Sequence, residues 1–159
     1  SERTHELISF LYNVAGMKQT ETTFAGRIGF HESCSALREM NVKGPRELLS
    51  TIKGAELIEI AGNEECCGFG GLFSVKFDEI SNAMVETKTR NIKQANIDLL
   101  TGVDLGCLMN IKGKLEQQHH ANSELANSDK GQSHAAENSK SPPLIQVCHI
   151  AELLADMHD

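Results

Sequence analysis

Short apolar runs of strand length alternate four times with helix-like segments, and this alternation constrains the fold more than any other feature of the chain. Arg27-Ile28-Gly29-Phe30, residues 56–60, residues 96–100 and Leu144-Ile145-Gln146-Val147 read as strands. Residues 45–52, 77–95 and 108–115 read as helices, as does the face formed by Ile150, Leu153, Leu154 and Met157. Pro45 stands at a first-turn position, where its missing N–H costs nothing, and Gly54 follows as a stop. Strands that alternate with helices join into parallel sheets through right-handed crossovers. The expected fold is therefore α/β: a small parallel sheet of about four strands flanked by helices, in a Rossmann-like three-layer arrangement. Ahead of the first strand, Leu7, Phe10, Leu11 and Val14 fall on one helical face, with Ser1 as its candidate N-cap.

A chain of 159 residues suits one domain, residues 1–159, with enough apolar content to bury a core. Its formal net charge of −7 argues against a phosphate-binding surface, so no nucleic acid is expected. No apolar run is long enough to span a membrane. The chain opens almost inside a helix and without an initiator Met, which points to a piece of something longer. Residues 117–141 are polar, with Leu125 alone among them as a large aliphatic, and are expected to be a disordered insertion. Its histidines, His119, His120 and His134, read as solvated side chains rather than metal ligands.

The chemistry lies in the cysteines. Four of the five are arranged C-x31-C-C-x39-C, as Cys34, Cys66, Cys67 and Cys107. Cys34, the Cys66-Cys67 loop and Cys107 each follow an expected strand, so three loops should converge beyond the carboxyl edge of the sheet. Gly68, Gly70 and Gly71 follow the vicinal pair; glycines allow close backbone approach, and their N–H groups can point at anionic sulfur. Four thiolates suit iron–sulfur or zinc, both soft-ligand centres. The spacing lacks the pattern of a small disulfide scaffold. It is not the C-x-x-C of a redox dithiol, and Gly68-Phe69-Gly70-Gly71 matches neither common phosphate-binding loop. Cys148 closes an apolar strand and reads as a core residue. A closed zinc site and a set of merely reduced cysteines both remain open on this reading.

Four runs carry a resemblance. They are His31-Glu32-Ser33-Cys34, Glu65-Cys66-Cys67-Gly68-Phe69-Gly70-Gly71-Leu72-Phe73-Ser74-Val75-Lys76, Asp104-Leu105-Gly106-Cys107-Leu108-Met109-Asn110 and His149-Ile150-Ala151-Glu152-Leu153-Leu154-Ala155. Together they resemble the CCG cysteine-rich domain found in heterodisulfide reductase, in the iron–sulfur component of glycolate oxidase and, above all, in the lactate utilisation A family. The resemblance implies a second cysteine-rich unit whose partner unit is missing from this chain. It implies a bacterial, cytoplasmic protein, or one held at the inner face of the membrane by its partners. It further implies an oxidoreductase component that works with other iron–sulfur subunits to oxidise L-lactate, or a similar 2-hydroxy acid, to the 2-oxo acid. Cys34, Cys66, Cys67 and Cys107 are then the metal ligands of an iron–sulfur cluster, expected to be 4Fe-4S, with zinc as the alternative. Gly68, Gly70 and Gly71 shape the cofactor loop. The family motif ends C-x-x-C, whereas Asn110 stands at the last position here. That departure favours a four-cysteine cluster, or an iron with one open position, over a five-cysteine one. His31 and His149 fall beside the expected site, each as a proton relay or second donor or, the preferred reading, as a structural histidine satisfied by its own hydrogen bonds.

Overall fold

A computed structural model describes residues 4–128 and 143–157. Four strands, β1 (Thr23–His31), β2 (Lys53–Ile58), β3 (Leu99–Gly102) and β4 (Gln146–His149), form one sheet in the order β2-β1-β3-β4. Every neighbouring pair is parallel, with Gly29 opposite both Ile58 and Leu100, and Thr101 opposite Cys148. The α/β expectation therefore holds, and both central strands are buried at their carboxyl ends.

Helices cover the two faces. On one side lie α4 (Asp78–Gln94) and α5 (Leu105–Ser128). Val85 and Ile92 of α4, with Leu108, Ile111 and Leu115 of α5, close over Leu100 and Ile97, and Cys67 and Cys107 belong to the same apolar layer. On the other side lie α1 (Leu7–Ser9), α2 (Pro45–Leu49) and α6 (Ile150–Leu154). There Ile8, Leu48, Leu49, Ile150 and Leu153 pack on Ile28, Phe30 and Leu99. A short helix, α3 (Leu72–Lys76), follows the glycine-rich loop. Among the described residues no helix is long and apolar enough to cross a membrane.

Several boundaries differ from expectation for identifiable reasons. α1 passes into a π-helical turn, Phe10–Val14, closed by the Ala15 N–H on the Phe10 carbonyl at 2.9 Å. This wider turn shifts the buried face. Ile8 is buried, while Leu7, Phe10 and Val14 are exposed, and Glu6 rather than the expected Ser1 caps the helix. Ser1 itself lies outside the described residues. The expected disordered insertion is corrected over its first part, because α5 continues unbroken through residues 117–128. Extending a nucleated helix adds one hydrogen bond per residue fixed, so polar composition does not stop it. Gln118 anchors the extension, donating to Thr89 Oγ1 at 3.2 Å and accepting from Lys93 Nζ. Residues 129–141, including His134, lie outside the described residues.

Candidate metal centre

The strand order reverses between β1 and β3: the chain leaves β1 to one side to form β2, and to the other to form β3. The crevice beyond that switch point is where a parallel sheet presents ligand-binding loops. All four expected cysteines lie there. Cys34 opens the π-helical turn Ser35–Glu39, three residues beyond His31 at the end of β1. Cys66 and Cys67 sit in the loop after β2, and Cys107 lies in the first turn of α5, just past β3.

The thiols gather at this edge, with Cys67 and Cys107 as the tight, buried pair and Cys34 and Cys66 half-buried. Cys67 and Cys107 are buried, and their sulfurs are 2.9 Å apart, close enough to share one proton. Cys34 lies within electrostatic reach of Cys66 and of Cys107. None of the cysteines is in a disulfide. The hydrogen bond shared with Cys107 holds Cys67 down at about 5 against the opposing effect of burial, with the His31 ring and the Phe69 N–H helping. Cys107, on the other side of the same bond, is pushed up, first by Cys67 and then by burial. Burial also pushes up the Cys66 thiol, which the Gly68 N–H partly offsets from 3.4 Å. Cys67 is thus the readier thiolate, whereas Cys66 and Cys107 are held toward the thiol, a balance that an arriving cation would shift toward the thiolate.

His31 completes the group. Its ring is 2% exposed and faces the Cys67 sulfur, yet neither nitrogen makes a well-formed hydrogen bond among the described residues. The preferred reading of His31 as a satisfied structural histidine therefore fails. A donor atom of His31 lies within 4.8 Å of both Cys67 Sγ and Cys107 Sγ, the span of one ion's coordination sphere. Two orphaned ring nitrogens beside buried thiols are costly unless a ligand satisfies them. The donor set of sulfur and imidazole fits a thiophilic metal or an iron–sulfur centre.

The surrounding residues fix this geometry. Gly68 has φ +82°, and a Cβ there would meet the Ser81 carbonyl oxygen at 2.5 Å, so the loop tolerates only glycine. Ser81 Oγ of α4 donates to the Gly68 carbonyl at 2.8 Å. Gly70 and Gly71 lie beyond the sulfurs and are exposed; Gly71 precedes α3 as its N-cap. Asp104 caps α5, accepting from the Cys107 N–H at 3.0 Å, and accepts from the Ser35 hydroxyl at 2.8 Å. The Cys34 turn and the Cys107 helix are thereby tied through one carboxylate. Asn110 donates from Nδ2 to the Cys67 carbonyl at 2.9 Å, so it holds the vicinal pair against α5. His149 is structural: Nδ1 accepts from the Ala151 N–H at 3.1 Å, and Nε2 faces the Val103 carbonyl at 3.1 Å. Cys148 is half-buried on β4, interacts with Thr101 rather than with the other cysteines, and is pushed up to about 11 by burial.

A cysteine-rich domain model designated CCG matches residues 28–112, from the first core strand through the Cys107 turn and Asn110. The chain belongs to the CCG cysteine-rich domain family. The chain is 40% identical over 119 residues to lactate utilization protein A of Oceanobacillus iheyensis, covering 74% of this chain and 49% of that protein. The same-named protein of a Geobacillus strain is 43% identical over 119 residues, covering 74% of this chain and 50% of that protein. Lactate utilization protein A 2 of Bacillus cereus is 36% identical over 156 residues, which is 98% of this chain and 55% of the relative. The chain thus spans about half the length of the curated relatives it matches.

Proposed function

We propose that this domain carries an iron–sulfur centre, expected to be 4Fe-4S, held by Cys34, Cys66, Cys67 and Cys107, and serves as the redox module of a lactate-utilising system. The observation that supports the reading is the buried group of Cys67, Cys107 and His31, with the half-buried Cys34 and Cys66 at the same edge of the sheet. When bound, such a centre supplies a one-electron carrier. The protein's own contribution is to hold the ligands, exclude water around Cys67 and Cys107, and direct the Gly68 and Phe69 N–H groups at sulfur. N–H···S contacts of this kind raise the potential of a cluster by stabilising its reduced, more negative form. Oxidation of a 2-hydroxy acid to a 2-oxo acid releases two electrons and two protons. This domain would pass electrons singly toward partner iron–sulfur subunits, with the other cysteine-rich unit of the longer relatives at its side.

A second reading has its own support. His31, Cys67 and Cys107 alone make a compact nitrogen–sulfur group that suits zinc. Phe69, Leu72, Val75, Leu105 and Met109, all exposed, lie on the segments that carry these cysteines. In this reading the domain is a zinc-stabilised docking module for its partner subunits. Anaerobic reconstitution with iron and sulfide separates the two. About one cluster per chain, brown and bleached on reduction, is expected. Stoichiometric zinc with no uptake of iron and sulfide would establish the docking reading instead.

A further inference from the structure

Lys88 is the only Lys, Arg, Asp or Glu side chain among the described residues that is buried, at 1% exposure. It projects from α4 beside Val85 and Ile92, on the face that packs against the cysteine loop. Its ammonium donates to the Gly62 carbonyl at 2.7 Å and the Asn63 carbonyl at 2.9 Å. Among the described residues no carboxylate lies within ion-pair distance of it. Two neutral carbonyls do not offset the desolvation of a full charge. Burial pushes Lys88 down, and the exposed Glu65 opposes that push; the two carbonyls it binds open the loop to Cys66 and Cys67, and Val85, one turn before it, shares the apolar layer of Cys67 and Cys107.

We infer that Lys88 is the built-in counter-charge of the metal centre, a positioning residue that anchors the loop bearing Cys66 and Cys67 and offsets the negative charge of the loaded site. The inference rests on the reading of the cysteines as metal ligands. It does not depend on whether the metal is iron or zinc. A divalent ion bound by four thiolates carries a net charge of −2, as does an oxidised four-iron cluster with four thiolates. In a dry site that charge needs compensation, and Lys88 is the buried cation on this side of the sheet. Ser81, two turns earlier on the same helix, supports the other end of the loop through the Gly68 carbonyl without contributing charge. Helix α4 therefore supports the metal loop twice, once with a neutral hydroxyl and once with an ammonium. Lys88 would also set the potential, because reduction adds an electron that its charge stabilises.

Anaerobic titration of the full chain with Co²⁺, followed by thiolate-to-cobalt absorption, tests this with wild type, Lys88→Gln and Lys88→Arg. Glutamine keeps a donor for the loop carbonyls and removes the charge; arginine keeps the charge. Lys88→Gln should weaken Co²⁺ by roughly tenfold to a hundredfold, and Lys88→Arg should recover most of the loss. The metal-free melting temperature of Lys88→Gln should stay level or rise, since an uncompensated buried charge is gone. In chain reconstituted with iron and sulfide, Lys88→Gln should shift the reduction potential downward. Equal Co²⁺ affinity in wild type and Lys88→Gln overturns the inference. So does loss of the metal-free fold in Lys88→Gln with no recovery by arginine, which marks a purely structural lysine. Wild type that binds Co²⁺ but builds no cluster sinks the iron–sulfur reading and leaves Lys88 standing; wild type that binds neither sinks both.

Discussion

Asp104 joins two of the three segments that hold the thiols. Its carboxylate accepts from the Cys107 N–H on one side and from Ser35, next to Cys34, on the other. Burial pushes this carboxyl up, but the Cys107 N–H and the Ser35 hydroxyl outweigh burial and hold it below the usual carboxylate range. A depressed carboxyl contributes stability above its unfolded value and loses it as pH falls through the folded one. The metal-free protein should therefore lose the Asp104 contribution in acid, below about pH 4. Asp104→Ala should cost about 1–2 kcal/mol from the lost cap and hydrogen bond, and should flatten that acid limb. Urea unfolding at neutral and acid pH measures both; an unchanged limb would show that another carboxylate dominates it. The cysteines can be ranked on the same scale. Serine at Cys66, Cys67 or Cys107 should abolish metal binding or leave it labile, because a hydroxyl is a hard, protonated substitute for a thiolate. Cys148→Ser should keep the metal and cost only packing, since Cys148 stands apart from the thiol group on β4. Metal content and the absorption spectrum decide between these outcomes. The four thiols were legible in the sequence because strand ends in a parallel sheet share an edge. The roles of His31, Asn110 and Lys88 were not. Whether a histidine is satisfied depends on partners that only the folded chain supplies, and an isolated lysine in a helix gives no sign of being buried.

At the scale of elements, the loop from Cys66 to Gly71 shows how α4 shapes the site. Gly68 lies where the loop crosses α4 at closest approach, with positive φ and the Ser81 backbone oxygen in the space a Cβ would need. Gly68→Ala should therefore displace the loop, cost about 1–3 kcal/mol and weaken metal binding. Gly71→Ala is a control for backbone conformation alone: its φ is +50°, but nothing lies within 4 Å of an added Cβ. It should cost less and leave the metal in place, as thermal unfolding and metal titration would show. Equal effects at the two positions would mean that close approach to α4 is unimportant. The existence and order of the strands and main helices could be read from apolar periodicity, because that periodicity records which face is covered. Their ends could not. β1 begins at Thr23 because it pairs with β2 at Lys53, a partnership set by tertiary contact. α5 outruns its apolar face because Gln118 finds Thr89 and Lys93 on α4. α1 buries Ile8 instead of the expected stripe because a π turn has no signature in hydrophobic spacing.

For the whole molecule, the thiol group closes the structure on itself. Cys34 follows β1, Cys66 and Cys67 follow β2, and Cys107 follows β3, so one centre bound by all four would link the carboxyl ends of three adjacent strands. Cys67 and Cys107 also belong to the core layer between the sheet and α4–α5, so a centre bound there would sit at the margin of that core rather than on its surface. Binding that occurs only when these loops are assembled is linked to folding: a ligand at a hundred times its dissociation constant adds about 2.7 kcal/mol. For a domain of this size that corresponds to a rise of roughly 5–11 °C in melting temperature. Stripping the metal should lower the melting temperature by that amount while leaving the far-ultraviolet dichroism unchanged, because two apolar layers hold the sheet without it. Hydrogen exchange should locate the change. The N–H groups of Gly68, Phe69 and Cys107, which point at sulfur or at Asp104, should lose protection, whereas those of β1 and β3 should keep theirs. Loss of protection throughout the sheet would show instead that the centre is needed for the fold itself, and that these apolar layers do not suffice without it.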